Sequence, residues 1–327
     1  THFYALAGPD FIVGPDAPVA ERNILGVIHK VGLEIGGKVI QMRKFGHRTV
    51  EMIGGRKVHP ASAIPGGVTK ILPEDERKEI EEMGRWAIEF AQFSLQAFND
   101  IVLANKAYLD LILGDVYYHQ TYYMGMVDEN NKVNFYDGKV RVVDPEGKEF
   151  CKYAPNEYMN HIAEHVEPWT YLKFPYLKKV GWQGFVDGPE SGVYTATPQS
   201  RLNAADGMTT PLAQAEYEKM FGMLGKPVHH RLAIHWARLI ELLYAAERWV
   251  QLASDPEITS DNFRTMPTAT PTEGAAIVEA PRGTLTHHYR VDENDQVTMA
   301  NLIVSTTCNN EPMNRAVQAI AEQHLSG

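Results

Sequence analysis

Residues 73–98 read PEDERKEIEEMGRWAIEFAQFSLQAF and indicate the main element of the fold, a long amphipathic helix. Pro73 suits a first helical position, and the acids that follow it are favoured by the helix dipole. Small or apolar residues then recur at steps of three and four: Ile80, Met83, Ala87, Phe90, Ala91, Ser94 and Phe98. We therefore expect a helix from about residue 73 to residue 106.

Two further segments have the same helical period. The segment after Pro227 has a buried stripe made of Leu232, His235, Trp236, Leu239, Leu242, Leu243, Ala246, Trp249 and Val250. A shorter amphipathic segment covers about residues 312–325. Long helices that do not alternate with strands argue against a doubly wound parallel sheet.

Strand signals are grouped in two places. Residues 38–42 and 49–53 read as two short strands before a Gly54-Gly55 turn. Residues 133–143 alternate around Asp137-Gly138 and predict a hairpin. More strand-like segments run to about residue 197. The predicted fold class is mainly α with a β-rich lobe (α+β), built as a long-helix bundle with the lobe at about residues 115–200.

Composition excludes several classes of protein. The chain has 327 residues, with 31 basic and 41 acidic side chains and a net charge of −10. This balance argues against nucleic acid and anionic membranes as partners. No run approaches the roughly 20 apolar residues that span a bilayer. Cys151 and Cys308 are the only cysteines, and they form no Cys-x-x-Cys pair. A disulfide framework is therefore not expected, which favours a reducing compartment.

Three stretches look too specialised for packing alone. In residues 56–68, His59 precedes Pro65 and Gly66-Gly67, so it lies either in a rigid structural loop or beside a site. In residues 279–289, Pro281 and Gly283 flank Arg282, which either offers donors in a cavity or pairs with Glu279 or another acid.

The third stretch, residues 305–310, follows an apolar run and precedes a helix. Its hydroxyls and amides either cap that helix or line a site with small donors. His287 and His288 are interpreted as structural, because neighbouring residues of a strand face opposite ways.

Together these strings resemble the large, catalytic subunit of nickel–iron hydrogenases. The matching pieces are His2-Phe3-Tyr4, Pro9-Asp10-Phe11, His59–Val68, Glu279–His287, Thr306-Thr307 and Asn309, in the order of that family. The Ala7–Asp10, Asn203–Pro211 and Asn309–Asn314 segments look most like the cytoplasmic, multi-subunit branch. Within that branch, the methyl-viologen-reducing hydrogenases of methanogens are most similar, followed by the pyridine-nucleotide-linked enzymes.

The resemblance implies a nickel–iron centre bridged by cysteine sulfur, with CO and cyanide on the iron, at which H2 is split heterolytically. Arg282 matches the arginine over the open metal position, and Pro281 matches its neighbour beside the diatomic ligands. Asp10 matches the carboxylate that orients this arginine. Thr306 matches a hydroxyl that donates to cyanide. His59 lies in a matching loop and is expected to line the site.

The resemblance also implies partners. Electrons would pass to iron–sulfur clusters in a small subunit, then to another electron-transfer subunit and a heterodisulfide reductase. The two Cys-x-x-Cys pairs that bind nickel in the family are missing, and the chain starts at Thr1. Residues 1–327 are therefore expected to be the central part of one large-subunit domain, with the ligands on polypeptide outside it. The alternative is a metal-free homologue, a structural or quinone-site module like the relative in respiratory complex I.

Overall fold

The computed structural model describes residues 1–325, and of His324 only the main chain. The chain forms two compact units. Unit 1 contains residues 1–108 and 238–270, and unit 2 contains residues 109–237 and residues from 271 onwards. The structure is 48% helix and 19% strand, which confirms the predicted fold class, mainly α with a substantial β component.

The helices follow the chain in this order: α1 (Ile24–Val31), α2 (Leu33–Gly54), α3 (Glu74–Phe98), α4 (Lys106–Leu113), α5 (Tyr158–His161), α6 (Pro198–Ala204), α7 (Pro211–Leu224), α8 (Ile234–Ala253), α9 (Ser305–Cys308) and α10 (Asn310–His324). Short π-helical turns cover His2–Ala7, Pro9–Val13 and Asn99–Leu103. No helix within residues 1–325 is both long enough and apolar enough to cross a lipid bilayer.

The strands are β1 (Ala63–Ile64), β2 (Gly67–Val68), β3 (Tyr122–Val127), β4 (Lys139–Val143), β5 (Glu149–Tyr153), β6 (Ile162–Val166), β7 (Lys173–Leu177), β8 (Tyr194–Thr195), β9 (Glu273–Ala280), β10 (Gly283–Val291) and β11 (Val297–Ile303). They form a four-stranded sheet in the order β5-β4-β3-β8, a three-stranded sheet in the order β11-β10-β9, and the two-stranded ladders β1-β2 and β6-β7.

Helix α3 organises the core of unit 1. Its apolar stripe packs in a cluster with Met52 of α2, Leu72 and Ala253. Gly84 lets α3 approach α8, because a Cβ there would lie 2.9 Å from the side chain of Val250. The helix ends at Phe98 and not near residue 106, since the chain turns through Asn99–Leu103 before α4 begins.

The predicted strands at residues 38–42 and 49–53 are wrong, because both lie within the 22-residue helix α2. The apolar residues Phe45 and Met52 are seven positions apart, so both reach the cluster around α3. Arg48 adds an ion pair with Glu79 of α3 at 2.9 Å. Tertiary packing thus overrides the local strand preference of the β-branched residues. Gly55 ends the helix in a left-handed conformation (φ 75°).

The predicted hairpin at residues 133–143 is also wrong in its pairing. Strand β4 pairs with β3, where Val142 lies opposite Met124, and with β5 on its other side. Val133 lies outside the strands; it forms an isolated bridge with Val127, and its N–H donates to the carbonyl of Gly207 at 2.9 Å. The reason is burial: Val140 and Val142 belong to the core of unit 2 together with Met124 and Met126.

Candidate active site

The turn between β9 and β10 in unit 2 carries the predicted arginine. Ala280 pairs with Gly283 at the end of the ladder, so Pro281 and Arg282 are the two residues of the turn. Gly283 has φ 142°, and a Cβ there would lie 1.5 Å from the carbonyl oxygen of Ala196. Only glycine fits this close approach of two main chains.

A buried ion pair fixes the start of the turn. The Glu279 carboxylate accepts a hydrogen bond from Arg201 at 2.9 Å, and these side chains are 1% and 2% exposed respectively. Glu279 also accepts from the main-chain N–H of Met126 at 2.7 Å and from the Thr284 hydroxyl at 3.0 Å. Arg201 donates in addition to the carbonyl of Ala280 at 2.8 Å. The carboxylate and the strand end are therefore held together.

The structure settles one of the alternatives for Arg282. Arg201, and not Arg282, is the partner of Glu279. The side chain of Arg282 is exposed, and among the described residues it takes part in no hydrogen bond or ion pair. Its guanidinium, a planar fork of donors that stays charged, is thus presented on a turn whose main chain is fixed. Pro281 is exposed beside it.

The segment with Thr306 is joined to this turn. Thr306 lies exposed in α9, directly after the buried Ser305. Asn309 follows three residues later, and its Nδ2 lies 3.4 Å from the carbonyl oxygen of Arg282. Asn309 is the N-cap residue of α10, yet its side chain makes no capping hydrogen bond. Helix capping, one of the two alternatives for this stretch, is therefore not the role of the Asn309 side chain, whose amide serves other partners.

Asp10 and His59 belong to unit 1. Asp10 is exposed in the turn Pro9–Val13, where its carbonyl accepts a hydrogen bond from the Tyr108 hydroxyl at 3.4 Å. His59 is exposed with a left-handed main chain (φ 53°), and its ring makes no hydrogen bond with any described residue. The orienting role of Asp10 and the lining role of His59 stay predictions.

The two histidines after the turn differ in burial. His288 is buried between the Tyr158 hydroxyl at 2.9 Å and Glu273 at 2.8 Å, whereas His287 contacts the Tyr289 hydroxyl at 2.9 Å. These contacts fit the structural interpretation of both residues.

Thiols do not form a metal site in the described residues. Burial raises the pKa of Cys308 to about 12 and that of Cys151 to about 11, so both are neutral thiols near pH 7. Cys308 accepts a hydrogen bond from Tyr194 and lies in the core. Within residues 1–325 no group of three or more His, Cys, Asp or Glu could hold a metal ion. The residues present therefore do not fit as the ligand set of a nickel–iron centre.

A partly buried cluster of polar and charged side chains in unit 2 was not predicted from the sequence. The buried His119 lies between Asp187 and the half-buried Arg231. Because a guanidinium can only donate, we assign the proton of the neutral His119 ring to Nε2, which faces Asp187. Burial lowers the pKa of His119, in agreement with a neutral ring. Arg315 reaches Asp187 from α10 at 3.4 Å.

Glu311 completes this cluster without a hydrogen bond of its own. Its side chain is buried, and neither carboxyl oxygen has a hydrogen-bond partner among the described residues. Burial raises the pKa of Glu311 to about 8, with Asp187 adding to the rise and Arg315 and Arg231 opposing it. A proton is therefore held on this carboxyl at neutral pH.

Known proteins resemble the chain over nearly its whole length. The model of the nickel-dependent hydrogenase family matches residues 111–327. A relative from Archaeoglobus profundus, named as an iron-sulfur subunit of an F420-non-reducing hydrogenase, is 47% identical over 98% of this chain and 66% of its own length. A vhu subunit of the same type of hydrogenase, from Methanocaldococcus jannaschii, is 43% identical over 98% of this chain and 74% of its own length. The chain thus spans about two thirds to three quarters of these relatives.

A solved structure agrees in fold. The crystal structure of an NAD+-reducing nickel–iron hydrogenase in its H2-reduced state is 34% identical, covers 100% of this chain and 70% of that chain, and gives a TM-score of 0.87. The predicted large-subunit architecture and the likeness to the F420-non-reducing (methyl-viologen-reducing) branch are thereby confirmed. The chain belongs to the nickel-dependent hydrogenase family.

Proposed function

We propose that the chain is the central part of the catalytic subunit of a nickel–iron hydrogenase that oxidises H2 reversibly and heterolytically. The observation that carries the proposal is the turn at Pro281-Arg282. Its main chain is fixed by Glu279, Arg201 and Gly283, and it presents an unpaired, exposed guanidinium in a member of this family. A cation whose main chain is held in place needs less rearrangement to stabilise charge that develops during a reaction than one on a mobile loop.

The site residues have distinct proposed roles. Arg282 supplies fixed donors at the open metal position, and Asp10 orients its guanidinium. Pro281 lines the space beside the diatomic ligands, Thr306 donates to a cyanide, and His59 lines the site. An anionic ligand in a dry pocket needs such donors, since charge-assisted hydrogen bonds are the strong ones.

The proposed cofactor needs metal ligands that do not occur in this sequence. We propose a nickel–iron centre with CO and cyanide, which supplies the chemistry of H2 activation when bound. Its expected ligands, two Cys-x-x-Cys pairs, do not occur among residues 1–327. The residues named above are therefore neighbours of the centre and not its ligands.

We further propose that the protein works in the cytoplasm with an iron–sulfur small subunit, with another electron-transfer subunit and with a heterodisulfide reductase. Relatives that are named as single subunits of F420-non-reducing hydrogenases support a multi-subunit assembly. A large subunit of this size would bury an extensive interface with its electron-transfer partner.

The substitution Arg282→Lys in the full-length gene product tests the function. It keeps the positive charge but removes the planar fork, so we expect H2 turnover to fall by roughly 100-fold with nickel content unchanged. The control Arg290→Lys changes an exposed arginine of β10, paired with Glu273, and is expected to leave turnover unchanged. Wild-type turnover in Arg282→Lys would refute the assignment.

A further inference from the structure

We propose that Asn309 is a positioning residue for Arg282, holding the main chain of the turn in the arrangement that H2 turnover requires. The proposal rests on the proposed function of Arg282. Asn309 is nearly fully buried (7% exposed) and lies in unit 2 together with the turn. It touches the main chain of Arg282, so its effect on the reaction would be transmitted through that residue.

The amide of Asn309 joins three separate segments of unit 2. Its Oδ1 accepts a hydrogen bond from the N–H of Ala196 at 2.9 Å. Its Nδ2 faces three carbonyl oxygens, those of Ala196 at 3.1 Å, Ser305 at 2.9 Å and Arg282 at 3.4 Å. One side chain thus links the residue after β8, the start of α9 and the arginine turn.

Ala196 contacts the turn a second time. Its carbonyl oxygen lies so close to Gly283 that no Cβ fits there. Asn309 therefore holds both Ala196 and the carbonyl of Arg282, while Gly283 packs directly against Ala196. A movement of the Asn309 amide would therefore shift both Ala196 and the carbonyl of Arg282.

An amide suits these partners and a carboxylate does not. The amide provides an acceptor for the Ala196 N–H and two N–H donors that are shared among the three carbonyl oxygens, whereas an ionised carboxylate can only accept. In Asn309→Asp, a second oxygen would replace the donors and face the carbonyls of Ala196, Ser305 and Arg282. This variant keeps the size of the side chain, so it tests hydrogen bonding and not packing.

Asn310 is the matched control. It is the next residue, is also buried (8% exposed), and donates from Nδ2 to the carbonyl of Lys173 at 3.2 Å, away from the arginine turn. Asn310→Asp therefore introduces the same chemical change at the same depth of burial. A general effect of a new buried carboxylate would appear in both variants.

The experiment combines two readouts on the full-length protein in its native complex. Hydrogen exchange at the Ala196 amide reports on the brace itself, and H2 turnover is measured with and without Arg282→Lys. In Asn309→Asp, we expect repulsion between the new carboxylate oxygen and the facing carbonyl oxygens to move the side chain away from the Ala196 N–H, so exchange at Ala196 should become faster. We expect H2 turnover to fall by roughly 10- to 100-fold, since a small displacement of a group that takes part in a reaction can cost this much. In the Arg282→Lys background, the further loss should be less than about 2-fold. Asn310→Asp should change neither readout.

The outcomes separate this inference from the proposed function. An equal loss from Asn309→Asp in both backgrounds, or an unchanged turnover despite faster exchange at Ala196, would overturn the positioning role alone. Full turnover in Arg282→Lys by itself would overturn the proposed function and the positioning role together. If Asn309→Asp does not fold, Asn309→Ala removes both the Nδ2 donors and the acceptor for the Ala196 N–H without adding a charge, and the same expectations and refuting results apply to it.

Discussion

The turn at Pro281-Arg282 in unit 2 and the loop at residues 59–68 in unit 1 are both short, contain glycine and carry a predicted site residue, yet they are held in different ways. Side chains fix the first: Glu279 holds its start, and Asn309 links it to Ala196. Main-chain contacts fix the second, where Gly66 and Val68 bond to the segment 263–265. The difference predicts where each loop tolerates substitution.

The contrast shows how a reactive side chain can be positioned. A turn braced by buried polar side chains depends on residues far away in sequence, such as Arg201, 78 positions before its partner Glu279. A loop held by its main chain depends mainly on its own glycines. We therefore expect remote substitutions to disturb Arg282 and to leave the loop with His59 unchanged.

The largest expected loss of stability comes from replacing a glycine in either region. Gly283→Ala would place a Cβ 1.5 Å from the Ala196 carbonyl oxygen, and Gly66→Ala one 1.7 Å from that of Thr265. Both positions also have positive φ, so overlap adds to strain. We expect each to lower the free energy of unfolding by about 5 kcal/mol or more.

Denaturant unfolding measures this loss. Gly274→Ala is the control, since a Cβ at Gly274 meets nothing within 4 Å. A mild effect of Gly283→Ala, similar to that of the control, would contradict the close approach of the turn to Ala196.

Breaking the buried Arg201–Glu279 pair should give the next largest loss of stability. It should affect the arginine turn and not the loop with His59. Arg201→Met leaves the Glu279 carboxylate buried without its cation, which is expected to cost about 3 to 5 kcal/mol. Arg290→Met, which breaks an exposed pair with Glu273, is expected to cost less than about 1 kcal/mol. Chemical denaturation compares the two, and equal costs would show that the Glu279 network does not hold the turn.

The stability of the region around the arginine turn should depend on pH. Glu311, a buried carboxyl, lies two residues after Asn309, which supports this turn. Its pKa is about 8 in the folded protein, against an ordinary value of 4.5. A raised carboxyl pKa adds stability that is complete below about pH 4.5 and is lost as the pH rises through about 8. The wild type should therefore lose about 2 to 4 kcal/mol relative to Glu311→Gln between pH 5 and pH 8.

The measurement is the free energy of unfolding of both proteins across this range. Glu322→Gln, which changes an exposed residue of the same helix, should follow the wild type. A constant difference between the wild type and Glu311→Gln would mean that the buried carboxyl does not titrate in this range.

The smallest effect is expected at His59. Its ring is exposed and unbonded among the described residues, and asparagine tolerates the left-handed main chain that His59 adopts. His59→Asn should change the free energy of unfolding by less than about 0.5 kcal/mol. A large loss in thermal or denaturant unfolding would show that the loop, like the arginine turn, depends on its side chains.

Sequence patterns predicted the parts of the structure that rest on local rules. The stripe of α3 was recognisable because its apolar residues keep one helical period over many turns. The strand prediction fails for α2 because its apolar stripe is weak and its β-branched residues favour strands locally. Contacts with α3 decide its conformation.

Partners that are distant in sequence account for the remaining differences. The Pro-Arg-Gly string predicted a special turn, but nothing nearby indicated that Arg201 would take Glu279 as its partner and leave Arg282 unpaired. Glu311 and Arg315 are four positions apart in α10, but nothing in the sequence indicates that Glu311 is buried near Arg231 and Asp187. The i,i+4 spacing of Glu311 and Arg315 is the one sequence signal that charged side chains come together there.

Nickel content of the purified full-length gene product is the most direct test of the central claim, that this chain surrounds the nickel–iron centre of a hydrogenase. The account predicts about one nickel per polypeptide, together with H2 turnover that depends on Arg282. A correctly folded, full-length product without nickel would contradict the claim and would favour a metal-free structural or quinone-site module of the same ancestry.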